Sequence, residues 1–393
     1  MNNTEPVRSL IDGAQKRWLA IGVIGVILGV AGGFTNPEQF FRSYLFGYIF
    51  WFNLTLGCLA GVMAHNLTGG DWGEATKRQL EAGMRLLPLM ALLFIPILFG
   101  LPKIYEWANP DHVAHDALLQ QKAGYLNPWS FGVRASVYFL IWITLANFLY
   151  KWSGELERTP NLAIVRKLEN LSGPGVVIFF LTSTFASFDW VMSLDPHWYS
   201  TIYGLLFVVG QGLAMLAFMI GVTTWLSKHE PLSHVATEKH FHDLGKLMHG
   251  FVVLWTYGVF SQFLIIWSGN LAEEVGWYIH RTAGGWKNVA LLLALFHFFV
   301  PFFLLLSRNN KMRKNSLVKI AGLILLMRFV DLYWLISPAF HHDGVHFHWL
   351  DVAAPVGIGG VWLAAFYSQL NKRPLSPLPD PFAEAEQAMA ERA

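Results

Sequence analysis

Arg328 and Asp331 stand three residues apart in LILLMRFVDLYWLISP, an otherwise apolar stretch. In a helix that spacing places both on one face. An ionisable group in hydrocarbon costs a few kcal/mol, so it turns to a partner or to water. Two chemistries fit. The pair is either an internal ion pair that neutralises itself and packs helices together, or a gated proton site. In the second case Asp331 is the group that titrates, because a guanidinium does not release its proton in practice. A second constellation, Asp189, Asp195 and His197, falls in FASFDWVMSLDPHWYS with no Lys or Arg among the three. Two carboxylates and an imidazole could relay protons. The competing reading of Asp195 is a helix N-cap ahead of Pro196.

His249 and His297 are the histidines deepest in apolar sequence. At one depth they could bracket a b-type haem. Counted along helices, however, His249 lies about 5 Å from one edge of its span and His297 about 15 Å from the opposite edge. That mismatch favours a hydrogen-bonded core role for His297 and a polar interface role for His249. The run HHDGVHFH (His341, His342, Asp343, His346, His348) has metal-like composition. Its irregular spacing in one loop points to partner contact or solvation instead. The single cysteine, Cys58, excludes disulfides within the chain, Fe–S ligation and a zinc cluster. Nothing resembles a nucleotide loop, a nucleophile elbow or a zinc-protease helix.

The elements that position these groups follow from composition. Of 393 residues, 54% are apolar and 14% charged, against about 25% charged in ordinary soluble domains. Mean hydropathy is +0.40. A disordered chain, a nucleic-acid-binding protein and a typical soluble enzyme are excluded, and most of the outer surface must face lipid. Spans of roughly 20 apolar residues, helical because lipid satisfies no backbone groups, are expected at 18–34, 44–64, 86–101, 130–150, 174–191, 199–226, 245–267, 288–306, 317–337 and 352–370. The fold class is therefore all-α, a polytopic membrane protein with ten transmembrane helices.

Charge placement sets the orientation. Of 28 Lys and Arg, 21 lie in the N-terminal segment, the even-numbered loops and the tail, 5 lie in the odd loops, and Arg134 and Arg328 fall inside spans. This alternation predicts both termini in the cytoplasm. Residues 1–17 read as a cytoplasmic segment before a retained first helix, 18–370 as the transmembrane domain, and 371–393 as a cytoplasmic, proline-rich tail ending in a short helix former. Asp71 to Arg85 has mixed charges at helical spacing and is expected along the cytoplasmic surface. DWVMSLDP and DLYWLISP share an Asp-x6-Pro pattern four spans apart, which suggests that spans 2–5 and 6–9 are two four-helix units.

Three stretches carry a resemblance: 185–204 (FASFDWVMSLDPHWYSTIYG), 241–281 (FHDLGKLMHGFVVLWTYGVFSQFLIIWSGNLAEEVGWYIHR) and 323–338 (LILLMRFVDLYWLISP). They resemble the NrfD-like, polysulfide-reductase-type membrane proteins, in particular the ActF-type subunit of alternative complex III, a bacterial quinol:cytochrome c oxidoreductase. The resemblance covers about residues 40 to 370. The sister NrfD-like subunit of that complex has a Pro-Gly-Trp-His-type sequence where this chain has Asp195-Pro196-His197-Trp198.

The resemblance implies two four-helix bundles between flanking helices and no redox cofactor in this chain, with quinone and lipids as possible ligands. It implies partners carrying Fe–S clusters and c-type haems: a large Fe–S subunit and multihaem and monohaem cytochrome c subunits. A homologue of the sister NrfD-like subunit and further membrane subunits complete the set, in the bacterial cytoplasmic membrane. It also implies a proton pathway, carried here by Asp189, Asp195, His197, Arg328 and Asp331, with His249 at the cytoplasmic side. Two other functions compete: a second quinone-binding subunit of the same complex, and a stand-alone secondary transporter. Gly and Pro interruptions near span ends rather than at the midplane count against the transporter.

Overall fold

A computed structural model of the chain describes residues 5–159, 161–341 and 343–375. Among these residues all regular structure is helical. Ten helices are long and apolar enough to cross a membrane: α1 (Glu5–Thr35), α2 (Pro37–Thr68), α3 (Lys77–Phe99), α4 (Pro128–Arg158), α5 (Leu162–Trp190), α6 (Tyr203–Leu226), α7 (Glu238–Gly269), α8 (Trp286–Leu306), α9 (Lys314–Ile336) and α10 (Leu350–Leu370). Each falls over one of the ten expected spans, and the chain is a multi-pass membrane protein. The end of the helices that holds the N-terminus of α1 is called here the basic end, and the opposite end the far end.

Local chemistry starts several helices. Asn36, Asn127 and Asn161 each accept a hydrogen bond from a backbone N–H in the first turn of α2, α4 and α5, and Pro37 and Pro128 follow the first two as first helical residues. Asn270 ends α7 in the left-handed conformation, φ 47°.

The boundaries differ from expectation in two places. Residues 5–17 do not form a segment apart from the first span. They continue α1, because Val7, Ile11 and Ala14 repeat at helical spacing and are buried. Nor does the whole of 71–85 lie along the surface: Asp71 and Glu74 stay near it, but the second half turns inward. Residues from Arg78 to Met84 are buried, and their charges are paired inside. Arg78 reaches Glu81 at 3.0 Å and Glu157 at 2.9 Å, while Ser153 donates to Glu81. Arg373 closes this cluster from the C-terminal segment, 3.4 Å from Glu81 and stacked 3.5 Å over Tyr150. The rest of the expected tail, 376–393 with its short helix former, lies outside the described residues.

Helices α2 and α6 occupy the centre. Helix α2 packs on α3, α5, α6 and α10, and α6 packs on α2, α5, α7 and α9. Between α2, α3, α4 and α5 the core is aromatic. Trp190 sits among Tyr48, Phe52, Phe94, Phe139 and Trp142, with ring centroids 4.6–6.4 Å apart. Helix α1 is held almost entirely by α10. Lipid gives apolar helices little reason to associate, so contact must come from close backbone packing. Gly25 supplies it: a Cβ there would come within 2.5 Å of Gly357 Cα. Gly25→Ala is therefore expected to destabilise the α1–α10 contact by about 1–3 kcal/mol. Gly221→Ala on α6 has open space and should be neutral or gain about 0.5–1 kcal/mol. Thermal unfolding of the two variants in detergent separates them, and equal midpoints would contradict the glycine-packing account.

Candidate functional site

Helix α9 carries Arg328 and Asp331 on its inward face, 2% and 4% exposed. The helix runs 23 residues, so Arg328 lies about 5 Å beyond its middle toward the far end. The two side chains form a direct ion pair through Arg328 Nη1 and Asp331 Oδ2. The guanidinium presses against the backbone of α6 at Gly210, where any Cβ would collide with it. The next residue, Gln211, donates from Nε2 to Ser183 Oγ of α5 (3.0 Å) and to Asn53 Oδ1 of α2 (3.3 Å). All three are buried. A polar layer thus crosses the interior from α9 through α6 to α5 and α2.

Beside the pair is a cavity of about 40 Å³, lined by Tyr203, Trp255, Gln262, Trp277, Arg328 and Asp331 among others. It has room for a few water molecules and no more. Three buried donors on this lining, Gln262 Nε2, Arg328 Nε and Trp334 Nε1, have no hydrogen-bond partner. At the far end of the cavity stands Arg281. Its Nη2 donates to Leu335 O at 2.9 Å, and its guanidinium stacks 3.6 Å over Trp277. Burial lowers Arg281 to about 10, against the opposing influence of Tyr203, Asp195 and Tyr278. It stays charged at neutral pH.

The π-helical segment Ala294–Phe299 interrupts α8 and carries His297. Such bulges occur often at functional sites. His297 is fully buried, its ring 4.0 Å from that of Trp255, and neither ring nitrogen has a partner. The expected hydrogen-bonded core histidine is thus absent, and a desolvated imidazole beside Trp255 takes its place. His249 lies nearer the basic end on α7. Its ring packs 5.3 Å from Phe302, and Nε2 is unpartnered. Gln262, Trp255 with His297, and His249 descend along α7 and α8 over about 20 Å.

The three groups of the α5–α6 connection do not come together. Asp189 is 1% exposed and turns to α4. There Arg134 grips it with two contacts, Nε to Oδ2 at 2.9 Å and Nη2 to Oδ1 at 3.0 Å, and the Tyr138 hydroxyl donates to Oδ2 at 2.9 Å. His197 pairs with Asp116 of the 102–129 loop at 2.7 Å, at a half-exposed site. The Asp116 carboxyl is held below its usual range, first by the Leu119 N–H and then by His197. Asp195 caps no helix: it follows a 3₁₀ turn at Met192–Leu194, and α6 begins only at Tyr203. Its electrostatic influence falls on Arg281. Asp189 is bound to Arg134 and His197 to Asp116, and a relay confined to this hairpin is not what the geometry offers.

Sequence reasoning marks none of Gly210, Gln211, Gln262, Arg281 and Arg134 as site residues, and it reads His297 as core. Arg134, an arginine inside an apolar span, is the one legible signal for the Asp189 partner. Among the described residues no three His, Cys, Asp or Glu side chains gather closely enough to hold a metal ion; His342 lies outside them.

Removing Arg134 leaves a buried carboxylate without its counter-ion. Arg134→Ala is expected to cost about 3–5 kcal/mol of stability, and Asp189→Asn in the same chain should recover part of the loss. A double-mutant cycle on thermal midpoints checks this, and strict additivity would deny the coupling. Neither the protein-family models nor the curated proteins match this chain.

Proposed function

We propose that this chain is an integral membrane subunit of a respiratory quinol:cytochrome c oxidoreductase of the alternative complex III type, which scaffolds the complex and passes protons through its interior. The observation that carries the proton role is the buried Arg328–Asp331 pair opening onto a small internal cavity. A buried pair of this kind is weak evidence for stability, whereas an ionisable group within the membrane marks a candidate ion or proton path by default. The three sequence stretches that resemble NrfD-like proteins supply the rest of the reading.

In this reading the helices form two four-helix bundles, α2–α5 and α6–α9, flanked by α1 and α10. The neighbour relations support it, since α2–α3–α4–α5 and α6–α7–α8–α9 each pack in sequence, with α5 returning to α2 and α9 to α6. Both termini face the cytoplasm of a bacterial cell, on the strength of the Lys and Arg distribution. Electrons would travel in neighbouring Fe–S and c-haem subunits, and a homologous membrane subunit would oxidise the quinol.

The chain's own residues hold and move the proton. Asp331 accepts it at the cavity. Neutralising the carboxylate releases the Arg328 guanidinium from its ion pair, while its contact with the α6 backbone at Gly210 keeps it beside Gln211. His297 and then His249 continue toward the cytoplasmic side. Asp189, clamped by Arg134, holds α4 and α5 together at the far end of the first bundle, and Asp195 and His197 stand at the outer surface.

Two measurements test the reading. Purification in mild detergent should bring down haem-containing partners; a chain that runs alone or only with copies of itself would refute the subunit assignment. In the assembled complex, Asp331→Asn should preserve assembly and lower the protons released per electron. An unchanged ratio removes Asp331 from the proton path.

A further inference from the structure

We infer that the basic ends of α1, α6 and α10 form a binding site for one anionic phospholipid of the leaflet at that end. The inference needs only that the helices cross a bilayer and does not rest on the proposed electron-transfer role.

A groove of about 350 Å³ opens there, lined by Ala14, Arg17, Trp18 and Ile21 of α1, Trp225 of α6 and Tyr367 of α10. It exists because α1 leans on α10 and leaves its α6 side without a helix partner. Arg17 is the last charge before the apolar run of α1, which puts its side chain where headgroups meet hydrocarbon. Its Nε donates to Gly13 O at 3.2 Å and holds the side chain along its own helix. Among the described residues no carboxylate pairs with it, although several other arginines of the chain, including Arg78, Arg134, Arg328 and Arg373, have one. The two terminal nitrogens are thus free for a phosphate, which a guanidinium holds through parallel charge-assisted hydrogen bonds.

The remaining walls match the other parts of a phospholipid. Trp18 and Trp225 are the residue type that sits at glycerol level in membrane interfaces. The Trp225 ring meets that of Tyr367 at 5.4 Å and forms a firm floor. Ile21, 38% exposed, begins the apolar surface against which an acyl chain lies. Lys16, next to Arg17, adds a second positive charge. That favours a lipid with net negative charge over phosphatidylcholine, whose own ammonium offsets its phosphate.

The test uses the protein with whatever subunits it brings from the membrane, stripped of loosely held lipid in detergent. Phosphatidylglycerol and phosphatidylcholine of identical chains are then titrated, with native mass spectrometry and thermal midpoint as readouts. Phosphatidylglycerol should bind about fivefold more tightly, the worth of one cation near a membrane surface. Arg17→Gln should abolish the difference, Arg17→Lys should retain most of it, and Lys319→Gln, at the basic end but outside the groove, should leave it intact. Equal binding of the two lipids, or an equal loss in Lys319→Gln, overturns the proposal. If Arg17→Gln fails to accumulate, Arg17→Lys and the wild-type lipid preference still decide it.

Discussion

The cost of a charge in hydrocarbon governs this molecule. A guanidinium or carboxylate away from water is costly unless it meets an opposite charge or a set of hydrogen-bond partners. Arg134 meets Asp189, Arg328 meets Asp331, and Arg78 meets Glu81 and Glu157. Two of these three clusters tie different helices together: α4 to α5, and α3 to α4 with the distant C-terminal segment. Only Arg328–Asp331 is closed within one helix, which leaves that pair the least committed to holding the fold. It is also the pair with a cavity beside it.

The two sets of four helices carry opposite interiors on similar frames. Around Trp190 the space is filled by stacked and edge-on aromatic rings, and the nearby buried acid, Asp189, is saturated by Arg134 and Tyr138. Around Trp255 the filling is incomplete: a π-helical turn bends α8, His297 is left without hydrogen bonds, and Gln262 and Arg328 keep free donors. A dry aromatic core resists rearrangement because close packing has few alternatives of equal energy. A core with unsatisfied polar groups and a small cavity is where water and protons enter most readily. Asp189 and Asp331 share an Asp-x6-Pro sequence, but the residues around each aspartate decide its surroundings.

Glycine takes the place of the hydrophobic effect in joining helices. At Gly25 facing Gly357 the backbones of α1 and α10 meet without side chains between them, and at Gly210 the missing Cβ makes room for the Arg328 guanidinium. In one case the small residue brings two helices together. In the other it lets a charge lie against a backbone.

The sequence by itself determined that the chain is helical, has ten segments long and apolar enough to cross a membrane, and concentrates its cations at one end of those helices. Each of these follows from runs of apolar residues and the charges between them, which are local properties of a linear chain. The burial of Arg328 and Asp331 as a pair was also legible, since both lie on one turn. Tertiary structure alone decided that Asp189 belongs to Arg134, that His197 belongs to Asp116, that residues 78–84 are interior, and that Gln262 and His297 stand near the central pair. Those partners come from helices tens of residues away. No local pattern fixes which faces of two apolar helices meet, because in lipid every face is greasy and only the packed whole selects one.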